Sequence, residues 1–128
     1  MQRFLLDTHT LLWWLNDSPQ LGPRCRQMIS NDRNQVFVSA ATTWEISIKM
    51  AIGKLRAPED MDSVVEDEGF SKLPISLYHG QLAGRLPAHH RDPFDRMLIA
   101  QAQAEGLILI TADENISLYN LLLKSASD

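Results

Sequence analysis

Along this chain, short and wholly apolar runs alternate with longer stretches in which apolar residues recur every three or four positions. The first kind suits strands buried on both faces, and the second suits helices that cover them. Together they predict an α/β fold with a parallel sheet. Residues 4–6 form the first expected strand, followed at once by a helix over 9–15 that ends at the breaker Asn16-Asp17-Ser18-Pro19. A polar helix is expected over 22–31, a strand over 36–38, and a long helix from Ser39 through Ile52, capped by Gly53. Residues 59–68 read as an exposed helix stopped by Gly69. Leu73-Pro74-Ile75 reads as a weak third strand whose proline suits a sheet edge. Residues 77–86 are read as helical despite Gly80 and Gly84. A helix over 93–105 closes at Gly106 and leads to a buried strand over 107–110. The tail through Leu121-Leu122-Leu123 fits either a helix or an edge strand.

Length makes this one domain, residues 1–128, with a substantial core. Hydrophobic residues at 45% and charged residues at 22% argue against a disordered chain. Cys25 is the only cysteine, so no internal disulfide is available and a reducing compartment is expected. Asp7, Asn16 and Asp17 interrupt the N-terminal apolar stretch, which excludes a membrane span and a signal peptide there. The expected location is the cytoplasm. Net charge is −4, yet Glu59, Asp60, Asp62, Glu66, Asp67 and Glu68 stand together with no base among them, and without these six the chain is at +2. Arg85, Arg91 and Arg96 gather around Asp92 and Asp95, so the local charge permits a polyanionic partner without requiring one.

Chemistry enters through acids at the ends of elements. Asp7 closes the first strand and Asp113 follows the late one; each could simply cap the turn or helix that comes next. Glu45 lies on the helix after Ser39, against a stripe of Trp44, Ile48 and Ile52, with Lys49 as an alternative i, i+4 partner. Pro93 makes Asp92 the cap of the helix it opens, which leaves Asp95, in the first turn, as the better ligand. In an open parallel sheet the strand ends share one edge where ligands bind. Carboxylates gathered there repel one another unless a hard cation such as Mg²⁺ or Mn²⁺ holds them. His9, His79, His89 and His90 share no metal-ligand spacing and are poor candidates for a catalytic base. Neither a Gly-rich phosphate loop nor a G-x-S-x-G motif is present. The dense apolar helix bearing Trp13 and Trp14 is either a broad core contact or a partner surface.

The segments Phe-Leu-Leu-Asp7-Thr8-His9, Val-Ser-Ala-Ala-Thr-Thr-Trp-Glu45-Ile-Ser-Ile-Lys, Asp92-Pro-Phe-Asp95-Arg-Met-Leu-Ile-Ala-Gln-Ala and Ile-Thr-Ala-Asp113 resemble those of PIN-domain ribonucleases. Within that family the chain is most similar to the VapC toxins of toxin–antitoxin pairs. The resemblance covers nearly the whole chain. It implies a three-layer α/β/α sandwich around a mostly parallel sheet of four to five strands, with Asp7, Glu45, Asp95 and Asp113 as the acidic, metal-holding pocket. It further implies one or two Mg²⁺ or Mn²⁺ ions, cleavage of RNA such as tRNA, a companion antitoxin and a homodimer. Arg91 and Arg96, by their nearness to Asp95, are candidates to position the RNA backbone. The acidic segment 59–68 is the least family-like. Two rivals remain at this stage: a phosphoacceptor receiver domain, which would want adjacent acids where Asp7 stands alone, and a PIN-like RNA-binding domain without catalysis.

Overall fold

The computed structural model describes all of residues 1–128. Five strands, β1 (Arg3–Leu6), β2 (Gln35–Ser39), β3 (Ser71–Leu73), β4 (Ile108–Thr111) and β5 (Leu123–Ser125), form one sheet in the order β3-β2-β1-β4-β5. Every neighbouring pair is parallel. Six helices surround it: α1 (Thr8–Leu15), α2 (Pro23–Ser30), α3 (Ala40–Ala51), α4 (Met61–Asp67), α5 (Leu77–Arg85) and α6 (Pro93–Glu105). A 3₁₀ turn spans Glu114–Leu118. None of the helices is long and apolar enough to cross a membrane.

The apolar runs form strands because side chains alternate between two covered faces. Phe4, Leu6, Val36, Val38 and Ile110 enter one core with Leu11, Leu12, Cys25, Ile29, Met61 and Val65 from α1, α2 and α4. Leu5 and Leu109 enter a second core with Leu98, Ile99 and Ala102 of α6 and Ile116. Each fully buried Leu or Ile of this kind contributes roughly 1.5–3 kcal/mol. Gly106 ends α6 in the left-handed conformation at φ 64°, which lets the chain turn directly into β4.

The third strand begins earlier than its apolar residues suggest and ends at Leu73, with Pro74 just beyond it. It is an edge strand, as is β5, which resolves the tail in favour of a strand. The acidic segment is less exposed than its composition suggests, since Met61 and Val65 are buried in the first core. Lys72 reaches back to Asp62 at 3.0 Å and Glu66 at 3.4 Å. Trp14 packs on Phe70 and donates its indole N–H to Glu68, so the tryptophan helix is largely a core contact.

The apolar stripe of α3 is not its core side, because Trp44 and Ile52 are each 60% exposed. The buried face is Ala41, Thr42, Glu45 and Ile46. Small residues at Ala41 and Thr42 let the start of α3 approach α6 closely, and that rotation turns Glu45 inward and the stripe outward.

Candidate active site

The sheet grows from β1 first toward β2 and β3, then resumes on the other side of β1 with β4 and β5. The crevice between the ends of β1 and β4 is therefore the switch point at which open α/β sheets bind ligands. Asp7 immediately follows β1, and its N–H still pairs with the Ile110 carbonyl at 3.2 Å. Asp113 lies two residues past β4.

Each acid also holds local structure. Asp7 is buried, and its Oδ1 caps α1 by accepting from the Thr10 N–H at 2.8 Å. Asp92 caps α6, its Oδ1 accepting from the N–H groups of Phe94 and Asp95 at 2.9 and 3.1 Å. Asp113 Oδ1 accepts from the Asn115 N–H at 2.9 Å and so caps the 3₁₀ turn. Glu45 is buried, with Oε1 accepting from the Thr8 hydroxyl at 2.6 Å and Oε2 paired with Lys49 at 2.8 Å. Capping and ion pairing are thus present in full. They use one oxygen each of Asp7, Asp92 and Asp113, while the second oxygen of Asp113 meets His90.

The centre of the cluster is a residue that sequence reasoning set aside. His90 Nε2 lies 2.8 Å from Asp113 Oδ2 and 3.1 Å from Asp95 Oδ2. Ligand atoms of His90, Asp95 and Asp113 all fall within 4.8 Å of one another. Metal-ligand spacing could not reveal this, but connectivity could have. His90 sits in the short loop that runs through Arg91-Asp92 into the first turn of α6, which carries Asp95.

Arg96 does not face the crevice with a free charge. Its guanidinium donates to the carbonyls of Ala83, Leu86, Pro87 and His90 at 2.9 to 3.1 Å, which fixes the loop between α5 and α6. Arg91, in contrast, is exposed and makes no such bonds.

The electrostatics identify where charge is uncompensated. Burial, and then the nearby Asp92, push the Asp95 carboxyl up to about 7; Asp7 and Glu45 add to this and His90 works against it. Burial also acts to raise Asp113, but its hydrogen bonds from His90 and the Asn115 N–H carry it below the ordinary carboxylate value. The hydrogen bond to Glu45 raises Lys49 despite some desolvation, and Asp92 and Asp95 contribute. A hard divalent ion fits this donor set, which is all oxygen apart from the imidazole and holds more negative charge than its fixed cations balance. Thr42 Oγ1, one helical turn before Glu45, is buried with no hydrogen-bond partner in the protein.

The PIN domain family model matches residues 4–120. Ribonuclease VapC16 of Mycobacterium tuberculosis is 39% identical over 62 residues, a match covering 47% of this chain and 44% of that protein, so less than half of the relative is spanned. Among solved structures, DNA-bound VapBC from Salmonella typhimurium is similar over 98% of this chain and 99% of its own, with TM-score 0.71 and 20% identity. VapBC-1 from nontypeable Haemophilus influenzae is similar over 99% and 100%, with TM-score 0.65 and 18% identity. At such identities these structures speak for the fold. The switch-point acids and the near-complete family match agree, and the chain belongs to the PIN domain family.

Proposed function

We propose that this chain is a metal-dependent endoribonuclease, the toxin of a toxin–antitoxin pair, that hydrolyses phosphodiester bonds in RNA, with tRNA as a candidate substrate. The observation that carries the reading is the gathering of Asp95 and Asp113 with His90, their ligand atoms within 4.8 Å of one another, beside Asp7, Asp92 and Glu45, whose charges and burial raise the Asp95 carboxyl to about 7. Asp7, Glu45, Asp95 and Asp113 would hold Mg²⁺ or Mn²⁺, which when bound supplies the positive charge that polarises a phosphate and a water. Asp7 and Asp113 are pinned by the turns they cap, so their second oxygens are oriented before any ligand arrives. Glu45 is steadied by Thr8 and Lys49 at the opposite wall. Arg91 is the cation free to meet an RNA phosphate, while Arg96 positions the loop that carries it.

The companion antitoxin and a homodimer belong to the same proposal. Support comes from the related structures, described as toxin–antitoxin or VapBC complexes, and from the exposed stripe of Trp44, Ile48 and Ile52. Sedimentation of the purified chain, with and without Trp44→Ser and Ile52→Ser, tests the dimer; a wild-type monomer would sink it.

Catalysis is tested by cleavage of a mixed tRNA and rRNA pool with Mg²⁺, Mn²⁺ or EDTA, alongside Asp7→Asn and Asp95→Asn. Discrete cuts that need the ion and both aspartates are expected. Cuts that survive EDTA and both substitutions would overturn the reading. A folded chain that binds the ion and RNA without cutting would be a binding domain.

A further inference from the structure

Beside the acid cluster, an apolar groove of about 380 Å³ runs between the start of α3, the end of α5 and the start of α6. Trp44 and Phe94 line it, and each immediately precedes an acid of the cluster, Glu45 and Asp95. The two rings meet at 77° with centroids 5.1 Å apart, which joins the α3 wall to the α6 wall at this point. Even with Phe94 against it, Trp44 is 60% exposed, so most of its indole is left to something outside the chain. On the α5 side Gly84 presents no side chain, and a Cβ placed there would meet nothing within 4 Å. Ile48 and Ile52, further along α3, do not line the groove.

Charge narrows the occupant. No carboxylate lines the groove, although carboxylates crowd the cluster next to it, and its two charged side chains are Arg91 and Arg96. Arg96 is committed to four carbonyls, whereas Arg91 is exposed. An exposed aromatic ring with a free guanidinium beside it suits single-stranded nucleic acid, whose bases stack on the ring while the cation meets the backbone. An apolar protein segment would cover Trp44 and leave Arg91 without a partner. An RNA strand supplies a flat base and an anion at every nucleotide.

We propose that the Trp44–Phe94 groove is a base subsite: one unpaired RNA base stacks on Trp44, and Arg91 holds a phosphate beside it. The inference deepens the ribonuclease reading and rests on it. Continuity of the groove with Glu45 and Asp95 places the seated nucleotide next to the acids, so the subsite sets where a strand is cut. A base reaches the indole only when it is out of its own helix, which selects an unpaired nucleotide. Trp44 touches the base and not the reacting bond.

The test measures binding apart from cleavage, in EDTA at low salt, with a short single-stranded oligoadenylate and with inorganic polyphosphate, which carries the charge without bases. Trp44→Ala is expected to bind oligoadenylate about tenfold more weakly, the scale of one lost stacked base, and polyphosphate as the wild type does. Trp44→Phe keeps a ring and should recover most of that loss. Gly84→Met fills the groove from α5 without a clash and should weaken oligoadenylate binding with Trp44 in place. Arg91→Ala should weaken binding of both probes. In the wild type, oligoadenylate should quench the fluorescence of the exposed tryptophan and polyphosphate should not, Trp13 and Trp14 being half-buried. Wild-type affinity for oligoadenylate in Trp44→Ala would overturn the proposal, and so would equal losses for the two probes. If the RNA-free chain is a dimer whose Trp44 is closed to acrylamide, a second copy occupies the groove and the proposal falls. Metal-dependent cutting of the tRNA and rRNA pool by the wild type would then leave the ribonuclease reading standing. A folded chain that neither binds nor cuts any RNA removes both.

Discussion

The two walls of the acid pocket carry like charge and neutralise it differently. On the α3 wall, Glu45 has a fixed cation, Lys49, at 2.8 Å and a hydroxyl donor from Thr8. On the α6 wall, Asp95 shares the His90 Nε2 with Asp113 and is surrounded by Asp92, Asp7 and Glu45. The first wall is balanced permanently by a covalently attached charge. The second has no lysine or arginine paired with it, so further balance there comes from something that exchanges, a proton or an ion. A pocket built this way keeps one rigid side for orientation and one side that drives ligand uptake.

The largest effect should come from removing the exchangeable charge. Asp95→Asn is expected to lower RNA cleavage by at least about a hundredfold, because loss of a ligand should exceed the 10–100-fold cost of losing an outer partner. The same substitution should stabilise the ion-free fold at high pH. Asp95 titrates at about 7 in the folded chain against an ordinary 3.8, so the folded state binds the extra proton between those values. Stability of the ion-free wild type then falls as pH rises through that window, by at most about 4 kcal/mol at ~1.4 kcal/mol per pH unit. Urea melts in EDTA from pH 4 to 8 should show this slope in the wild type and a shallower one in Asp95→Asn, with Asp95→Asn the more stable at pH 8. A flat wild-type profile would mean that Asp95 is already compensated.

The next effect separates the two arginines of the α6 wall. Arg96→Ala removes donors from four carbonyls and should cost about 2–4 kcal/mol, since each charged bond is worth ~1.5–3 kcal/mol when buried and these are only partly so. Arg91→Ala should leave stability within about 0.5 kcal/mol and weaken RNA binding at low salt, with the difference fading as salt rises. Equal losses of stability in the two variants would show that the loop is not held by Arg96.

What was legible in the sequence follows from this contrast. Asp7, Asp95 and Asp113 could be placed because strand ends and helix first turns are local features, written in runs such as Phe4-Leu5-Leu6 and in the Asp92-Pro93 cap. The alternation of apolar runs likewise carried the parallel sheet, down to β3 at an edge. The inward face of α3 was not legible. Apolar periodicity located the stripe of Trp44, Ile48 and Ile52 correctly, but which way a stripe turns depends on what Ala41 and Thr42 can approach, and that is a tertiary matter. His90 was missed for a related reason. Its partners come from two elements, Asp95 on α6 and Asp113 after β4, and only the loop between α5 and α6 brings them to one ring nitrogen. Arg96 shows the converse: nearness to Asp95 in sequence suggested a ligand contact, while its donors close a loop.

The smallest predicted effect tests the balanced wall directly. Lys49→Met removes the fixed cation but keeps the chain length that covers the helix surface. Lys49 is 40% exposed, so the pair with Glu45 contributes only a few tenths of a kcal/mol to about 1 kcal/mol, and the fold should be nearly unaffected. Ion binding should respond more than stability does. Lys49 already interacts with Asp92 and Asp95 as well as Glu45, so its charge opposes any cation entering among them. Its loss should tighten Mn²⁺ binding by about two- to fivefold, the scale of one screened charge across a partly solvated pocket. The gain should shrink in high salt. If Lys49→Met instead weakened ion binding, the lysine would be orienting Glu45 as a ligand more than it repels the ion, and the α3 wall would owe its function to geometry rather than to charge balance.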